Sequence, residues 1–270
     1  MASTTTTFLR SLDGTRLAAD VAVPANADRG VVLVHGGGVT RDEGGFFVRL
    51  AGGLAAARVA SVRFDLRGHG DSGGRQEDLT LAGVGNDVRA VAEHLASIAA
   101  LDRVGVLGAS FAGGVCAVLA ARHPELIDRL VLFNPLLDYK KRFVDDKEYW
   151  SGDRIDESAA ERLATDRYVA HSPSFRLGIG LLNEVFWWDT RAELPNITAP
   201  TLIVHGTNDT FIPVESSRAA VTALGGSARL LELDGAQHGL AVHDDPGYRQ
   251  PQTLRWQASV IDETAAWLRR

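Results

Sequence analysis

The chain has 270 residues, 45% hydrophobic and 23% charged, which is enough for one large domain with a generous core and ordinary for a globular protein. A net charge of −6 speaks against a nucleic-acid footprint and a basic membrane-binding surface, and favours a small or apolar partner. No apolar run approaches the roughly 18 residues that span a bilayer, and a single cysteine, Cys116, excludes an internal disulfide and a cysteine-rich metal site.

The first seven residues lack the basic and apolar regions of a secretory signal, so a cytoplasmic location is expected. Residues 8–23 alternate apolar and polar around Asp13-Gly14, which predicts a β-hairpin. Residues 31–34 form a continuous β-branched and leucine run, the pattern of a parallel strand buried on both faces. His35-Gly36-Gly37-Gly38 follows at once, and glycines there let backbone N–H groups face the crevice where open α/β sheets bind ligands. A helix is expected over 45–58 with Phe46, Phe47, Leu50 and Leu54 inward, then a strand over 59–65. The loop Arg67-Gly68-His69-Gly70-Asp71-Ser72-Gly73 leads into a helix over 79–100 and a strand over 103–107.

The stretch 104–117, Val-Gly-Val-Leu-Gly-Ala-Ser-Phe-Ala-Gly-Gly-Val-Cys-Ala, reads as strand, tight turn and helix. A serine on so sharp a corner, Ser110, exposes its hydroxyl above the sheet edge with a helix N-terminus beneath it. The spacing approaches the G-x-S-x-G nucleophile elbow, with Ala112 a mild departure at the second glycine. A dinucleotide loop on Gly105, Gly108 and Gly113 is disfavoured, because Leu107 stands where its second glycine belongs and no carboxylate ends the next strand. Cys116, on the helix behind, reads as a small buried hydrophobe.

A further strand over 130–133 ends at Asn134-Pro135, after which the alternation of strands and helices breaks. Residues 138–196 carry lysines, many acids and the adjacent aromatics Phe186, Trp187 and Trp188, and are read as a helical cap inserted between core segments 1–137 and 197–270. The three aromatics are candidates for lining the substrate site, or for simply anchoring the cap. Sheet logic resumes over 201–204, ending in His205-Gly206-Thr207-Asn208-Asp209, and again over 228–233, ending in Asp234-Gly235-Ala236-Gln237-His238-Gly239. The closing helix over 254–269 puts Trp256, Val260, Ile261, Ala265 and Leu268 on one face. Strands alternating with helices imply a mostly parallel sheet covered on both sides.

A serine hydroxyl is a poor nucleophile until a base takes its proton, and that base needs a carboxylate to fix its tautomer and stabilise its charged form. Asp209 and His238 each lie on a loop after an expected strand, so both open on the sheet edge that carries Ser110. Asp138, just past the preceding strand, is the alternative acid. His35 reads as a brace for the glycine turn and His69 as structural, while His205 and His243 read as bystanders. Lys140-Lys141-Arg142 reads as a solvated face in preference to an anionic-substrate site.

Together, His35-Gly36-Gly37, residues 64–72, Gly108 to Gly113, residues 200–213 with Asp209, and His238-Gly239 give the chain a clear resemblance to the serine α/β-hydrolases of the capped esterase and lipase type. Within that group it looks nearest to cinnamoyl and feruloyl esterases. The resemblance implies an α/β-hydrolase fold of about eight strands, with Ser110, His238 and Asp209 as the triad. It also implies backbone N–H groups of Gly37 and Phe111 as the oxyanion hole and a small-molecule ester with an apolar or aromatic acyl group as substrate. No metal or organic cofactor is called for, and a homodimer is left open. Thioesterases and C–C bond hydrolases share such triads, and a non-catalytic receptor could retain one.

Overall fold

Apolar runs without a polar face build the middle of the protein, whose computed structural model describes residues 4–270. In chain order the first half comprises β1 (Thr4–Arg10), β2 (Arg16–Ala22), β3 (Arg29–Val34), α1 (Phe46–Ala56), β4 (Val59–Phe64), α2 (Leu81–Ala99), β5 (Val104–Ala109), α3 (Phe111–Arg122) and β6 (Ile127–Phe133). The next segment holds β7 (Trp150–Ser151), β8 (Arg154–Ile155), α4 (Glu157–Asp166), β9 (Tyr168–Ser172), β10 (Phe175–Gly178), α5 (Ile179–Glu184) and α6 (Thr190–Glu193). It is followed by β11 (Thr201–Gly206), α7 (Val214–Ala223), β12 (Ala228–Leu233) and α8 (Pro251–Leu268).

Eight strands pair in the order β1-β2-β4-β3-β5-β6-β11-β12. The β1/β2 hairpin joins antiparallel at one edge, and β4 through β12 run parallel. Alternation along each strand divides the core between the two faces. Val31, Leu33 and Leu107 pack with α1 and α8, while Val32, Val34 and Val106 pack with α2 and α3. The parallel arrangement brings the C-terminal ends of β3, β5, β6, β11 and β12 to one edge, so the loops carrying Gly36, Ser110, Asn134, Asp209 and His238 open there together.

The segment between β6 and β11 is mixed rather than helical. Two small antiparallel pairs, β7/β8 and β9/β10, stand among its short helices, and residues 141–145 form a π-helical turn. Its apolar side chains, among them Phe143, Val169, Phe175 and Leu181, join the core on the α2 and α3 side. Helical periodicity is weak where each element is so short, which is why composition alone suggested helices.

Candidate active site

The corner after β5 puts a non-glycine residue at positive φ. Ser110 has φ 48° and ψ −116°, and it is held there by its N–H to the Phe133 carbonyl at 2.8 Å and by its carbonyl, which accepts from Gly113 at 3.0 Å and Leu136 at 2.9 Å. Such a conformation costs of order 1–3 kcal/mol and persists only where the surroundings dictate it. A Cβ on Gly108 would lie 2.8 Å from Cys116 Sγ, and one on Gly113 would lie 2.5 Å from Pro135 Cβ, so the turn admits only glycine at both places. Behind it, the buried Tyr139 hydroxyl donates to the Phe111 carbonyl at 2.6 Å and accepts from the Val115 N–H at 3.0 Å, bridging the first turn of α3.

Three side chains far apart in sequence meet at this corner. His238 Nε2 lies 2.9 Å from Ser110 Oγ, and His238 Nδ1 lies 2.7 Å from Asp209 Oδ2. A carboxylate only accepts, so the proton sits on Nδ1 and Nε2 is left to accept the serine hydroxyl. Asp209 Oδ1 accepts in turn from the N–H groups of Phe211 at 2.8 Å and Ile212 at 3.0 Å. Burial would raise the Asp209 pKa, but hydrogen bonds from His205 and His238 and from the Ile212 amide outweigh it and hold the carboxyl well below its ordinary value. The two loops are tied together by Thr207 Oγ1, which accepts from the Gly235 N–H at 2.8 Å. The buried side chain of Asn134 accepts from the Gly206 N–H at 3.1 Å.

The glycine turn after β3 presents its amides in sequence. Gly36 N–H donates to Glu43 Oε2 at 2.9 Å and Gly38 N–H to His69 Nε2 at 3.1 Å, while Gly37 N–H between them has no acceptor among the described residues. Phe111 N–H, first in α3, is likewise without one. Gly37, Phe111 and Ser110 line one crevice of about 180 Å³, so two residues with unpaired N–H groups stand around the space that the serine borders. His35 braces the turn as expected, with Nδ1 donating to the Gly36 carbonyl at 2.7 Å and Nε2 accepting from Leu66 N–H at 3.0 Å. A second cleft, of about 390 Å³, shares Ser110, Phe211 and His238 with the crevice and is lined also by Phe46, Phe133, Tyr248 and Glu43. Burial raises the Glu43 pKa against the opposing bond from Gly36. Among the described residues, no group of three or more His, Cys, Asp and Glu could hold a metal ion.

Several expectations need correction. Phe186, Trp187 and Trp188 line neither the crevice nor the cleft beside Ser110. Trp187 is 90% exposed, Phe186 packs on Trp150 with ring centroids 5.7 Å apart, and Trp188 reaches Thr190 and lines a depression on α3. The cause is Glu184, whose carboxylate accepts from the N–H groups of Leu81 and Ala82 and so pins this stretch to the start of α2, away from the strand ends. Asp138 faces Arg191 at 2.7 Å and accepts from Lys141 N–H, without touching His238. His205 is no bystander. Fully buried, it lies 3.4 Å from Asp209 Oδ2, with Nε2 donating to the Ile212 carbonyl at 2.9 Å and Nδ1 accepting from Ser217 Oγ at 2.7 Å. Glu43, Asn134, Tyr139 and Phe175 escaped sequence reasoning too. Asn134-Pro135 at a strand end was the only signal, since asparagine tolerates the positive φ of 41° found there.

A doubly wound sheet with a Ser–His–Asp hydrogen-bonded chain at its C-terminal edge defines a class of α/β scaffold in which chemistry sits above the strand ends. The chain belongs to the alpha/beta hydrolase family, whose profile matches residues 31–249. A monoacylglycerol lipase of Mycolicibacterium smegmatis is 27% identical, with 94% of this chain and 93% of that protein covered. A 2-hydroxy-6-oxo-2,4-heptadienoate hydrolase of Pseudomonas putida is 28% identical over 50% of this chain and 58% of its own. Among solved structures, Est1E of Butyrivibrio proteoclasticus with bound ferulic acid superposes with a TM-score of 0.78 at 20% identity, over 98% of this chain and 100% of that one. At that identity the likeness speaks for the fold.

Proposed function

We propose that the protein is a serine hydrolase of carboxylic esters, acting through Ser110, His238 and Asp209 and an acyl-enzyme. The carrying observation is the continuous hydrogen-bonded path from Ser110 Oγ through His238 to Asp209. His238 Nε2 takes the serine proton as Oγ attacks the ester carbonyl, and the negative charge that collects on the carbonyl oxygen is met by the free N–H groups of Gly37 and Phe111. His238 then gives its proton to the departing alcohol, the acyl group stays on Oγ, and the same nitrogen activates water to release the acid. Fixed donors need no reorganisation, and one of them is worth roughly 3 kcal/mol of barrier.

Residues 138–196 act as a cap over this site, closing the crevice with Phe143, His171 and Phe175 in place of the expected tryptophans. Similarity to a monoacylglycerol lipase along nearly the whole chain supports ester cleavage. The partial similarity to a 2-hydroxy-6-oxo-2,4-heptadienoate hydrolase favours C–C bond hydrolysis as a second reading. Native protein should hydrolyse 4-nitrophenyl acetate and react with a fluorophosphonate at Ser110, and Ser110→Ala should cost about four to six decades of turnover. Hydrolysis by Ser110→Ala at the native rate would end the proposal.

A further inference from the structure

Charge is unevenly matched above Ser110. Arg142 lies in the π-helical turn at 141–145, a distortion that often marks functional positions, and lines both the crevice at Ser110 and an adjoining cavity of about 640 Å³. The other charged side chains around that cavity have partners: Lys141 with Asp146, Arg191 with Asp138 at 2.7 Å, and Glu215 with Arg218 at 3.2 Å. Among the described residues Arg142 makes no ion pair and no side-chain hydrogen bond. Its guanidinium stands 5.8 Å from the centre of the Phe211 ring, a contact that leaves all its N–H donors unused.

Two further basic groups surround it. His171 lines the same crevice, and its Nδ1 is buried without a hydrogen-bond partner. Burial, and then the charges of Lys147 and Arg142, push the His171 pKa down to about 4. Lys147 is also lowered, by burial and by Arg142, against the opposing field of Asp146. His171 is therefore neutral at neutral pH, and Arg142 is the unpaired positive charge on the crevice wall beside the candidate nucleophile.

We infer that the ester this site takes carries an anionic group, a carboxylate on its acyl half, which the planar fork of Arg142 binds in the crevice between the cap and the strand ends. Phe143 and Phe175 in the crevice wall accommodate the apolar body of that acyl chain. The second cleft, with Phe46, Phe133 and the Tyr248 ring in its wall, suits the uncharged alcohol half. The inference rests on the esterase reading and names its substrate class.

The test compares mono-4-nitrophenyl esters of succinate, glutarate and adipate with the butyrate, pentanoate and hexanoate esters of equal carbon number. At the best chain length the native protein should prefer the anionic ester in kcat/KM by about ten- to a hundredfold, the range for one charge-assisted contact. Arg142→Gln should remove that preference, and Arg142→Lys, which keeps the charge without the fork, should restore part of it. In the native protein alone the preference should shrink as sodium chloride is raised. A native ratio of one or below at every length, or a ratio unaltered by both Arg142→Gln and salt, overturns the inference. Failure of the esterase reading looks different: none of the esters, neutral or anionic, would be hydrolysed faster than in the absence of protein, where the succinate and glutarate esters already react through their own carboxylate, and Ser110 would not take the fluorophosphonate.

Discussion

Asp209 shows how one side chain couples folding to the proposed chemistry. Its carboxylate orders His238 through Nδ1 while anchoring the Phe211 and Ile212 amides, so loop and imidazole share one acceptor. The native carboxyl is held below its ordinary pKa, so this group's contribution to stability is complete above the unfolded-state value of about 3.9 and is lost as pH falls toward the native one. The stability gap between the native protein and Asp209→Asn should therefore be constant at neutral pH and narrow below about pH 4, as followed by urea unfolding at a series of pH values. Asp209→Asn should also lower turnover by about 10⁴, because an amide can favour the wrong imidazole tautomer. Ser, Asp and His in that order were legible from the loops on which they fall. Glu43 and His205 were not, because a residue that acts by contact across distant segments leaves no local pattern, and the basic run 140–142 was visible only as charge, without a sign of which of its side chains stays unpaired.

Among the elements, the loop after β4 carries most of the polar bracing. Arg67 makes two bonds to the fully buried Asp87 of α2, at 2.6 and 2.8 Å, and a third to Asp13 in the turn between β1 and β2. Asp65, also fully buried, accepts from the backbone N–H groups of Arg41 and Asp71, holding the loop beyond the glycine turn against the loop after β4. Arg67→Ala leaves a buried carboxylate without its cation and should destabilise the fold by about 3–5 kcal/mol in chemical denaturation, with Arg67→Lys recovering only part. A run of glycines, charges and turn formers announced this loop in the sequence. Which charge pairs with which depends on the register of β2 against β4, a long-range fact.

At the scale of the molecule, Phe175 joins the segment between β6 and β11 to the core. Its ring lies 5.1 Å from that of Phe111 and 5.9 Å from that of His69, and it fills the space where a Cβ on Gly37 would come within 2.7 Å. Phe175→Ala should cost about 3–5 kcal/mol of stability by urea unfolding and should raise KM for short acyl esters, since the wall of the crevice is lost along with the packing. An unchanged KM with reduced stability would place Phe175 in the core alone.

Hydrophobic patterning by itself determined the doubly wound sheet. Each buried strand must be apolar on both faces and each covering helix on one, and those constraints are local in sequence. The strand-end rule then determined that Ser110, Asp209 and His238 share an edge. Where residues 138–196 lie, and so which aromatic rings and which unpaired cation surround the hydroxyl, was decided only by the tertiary structure. That placement follows from contacts such as Glu184 with the start of α2, between groups about a hundred residues apart whose individual energies are small and whose pairing no periodicity records.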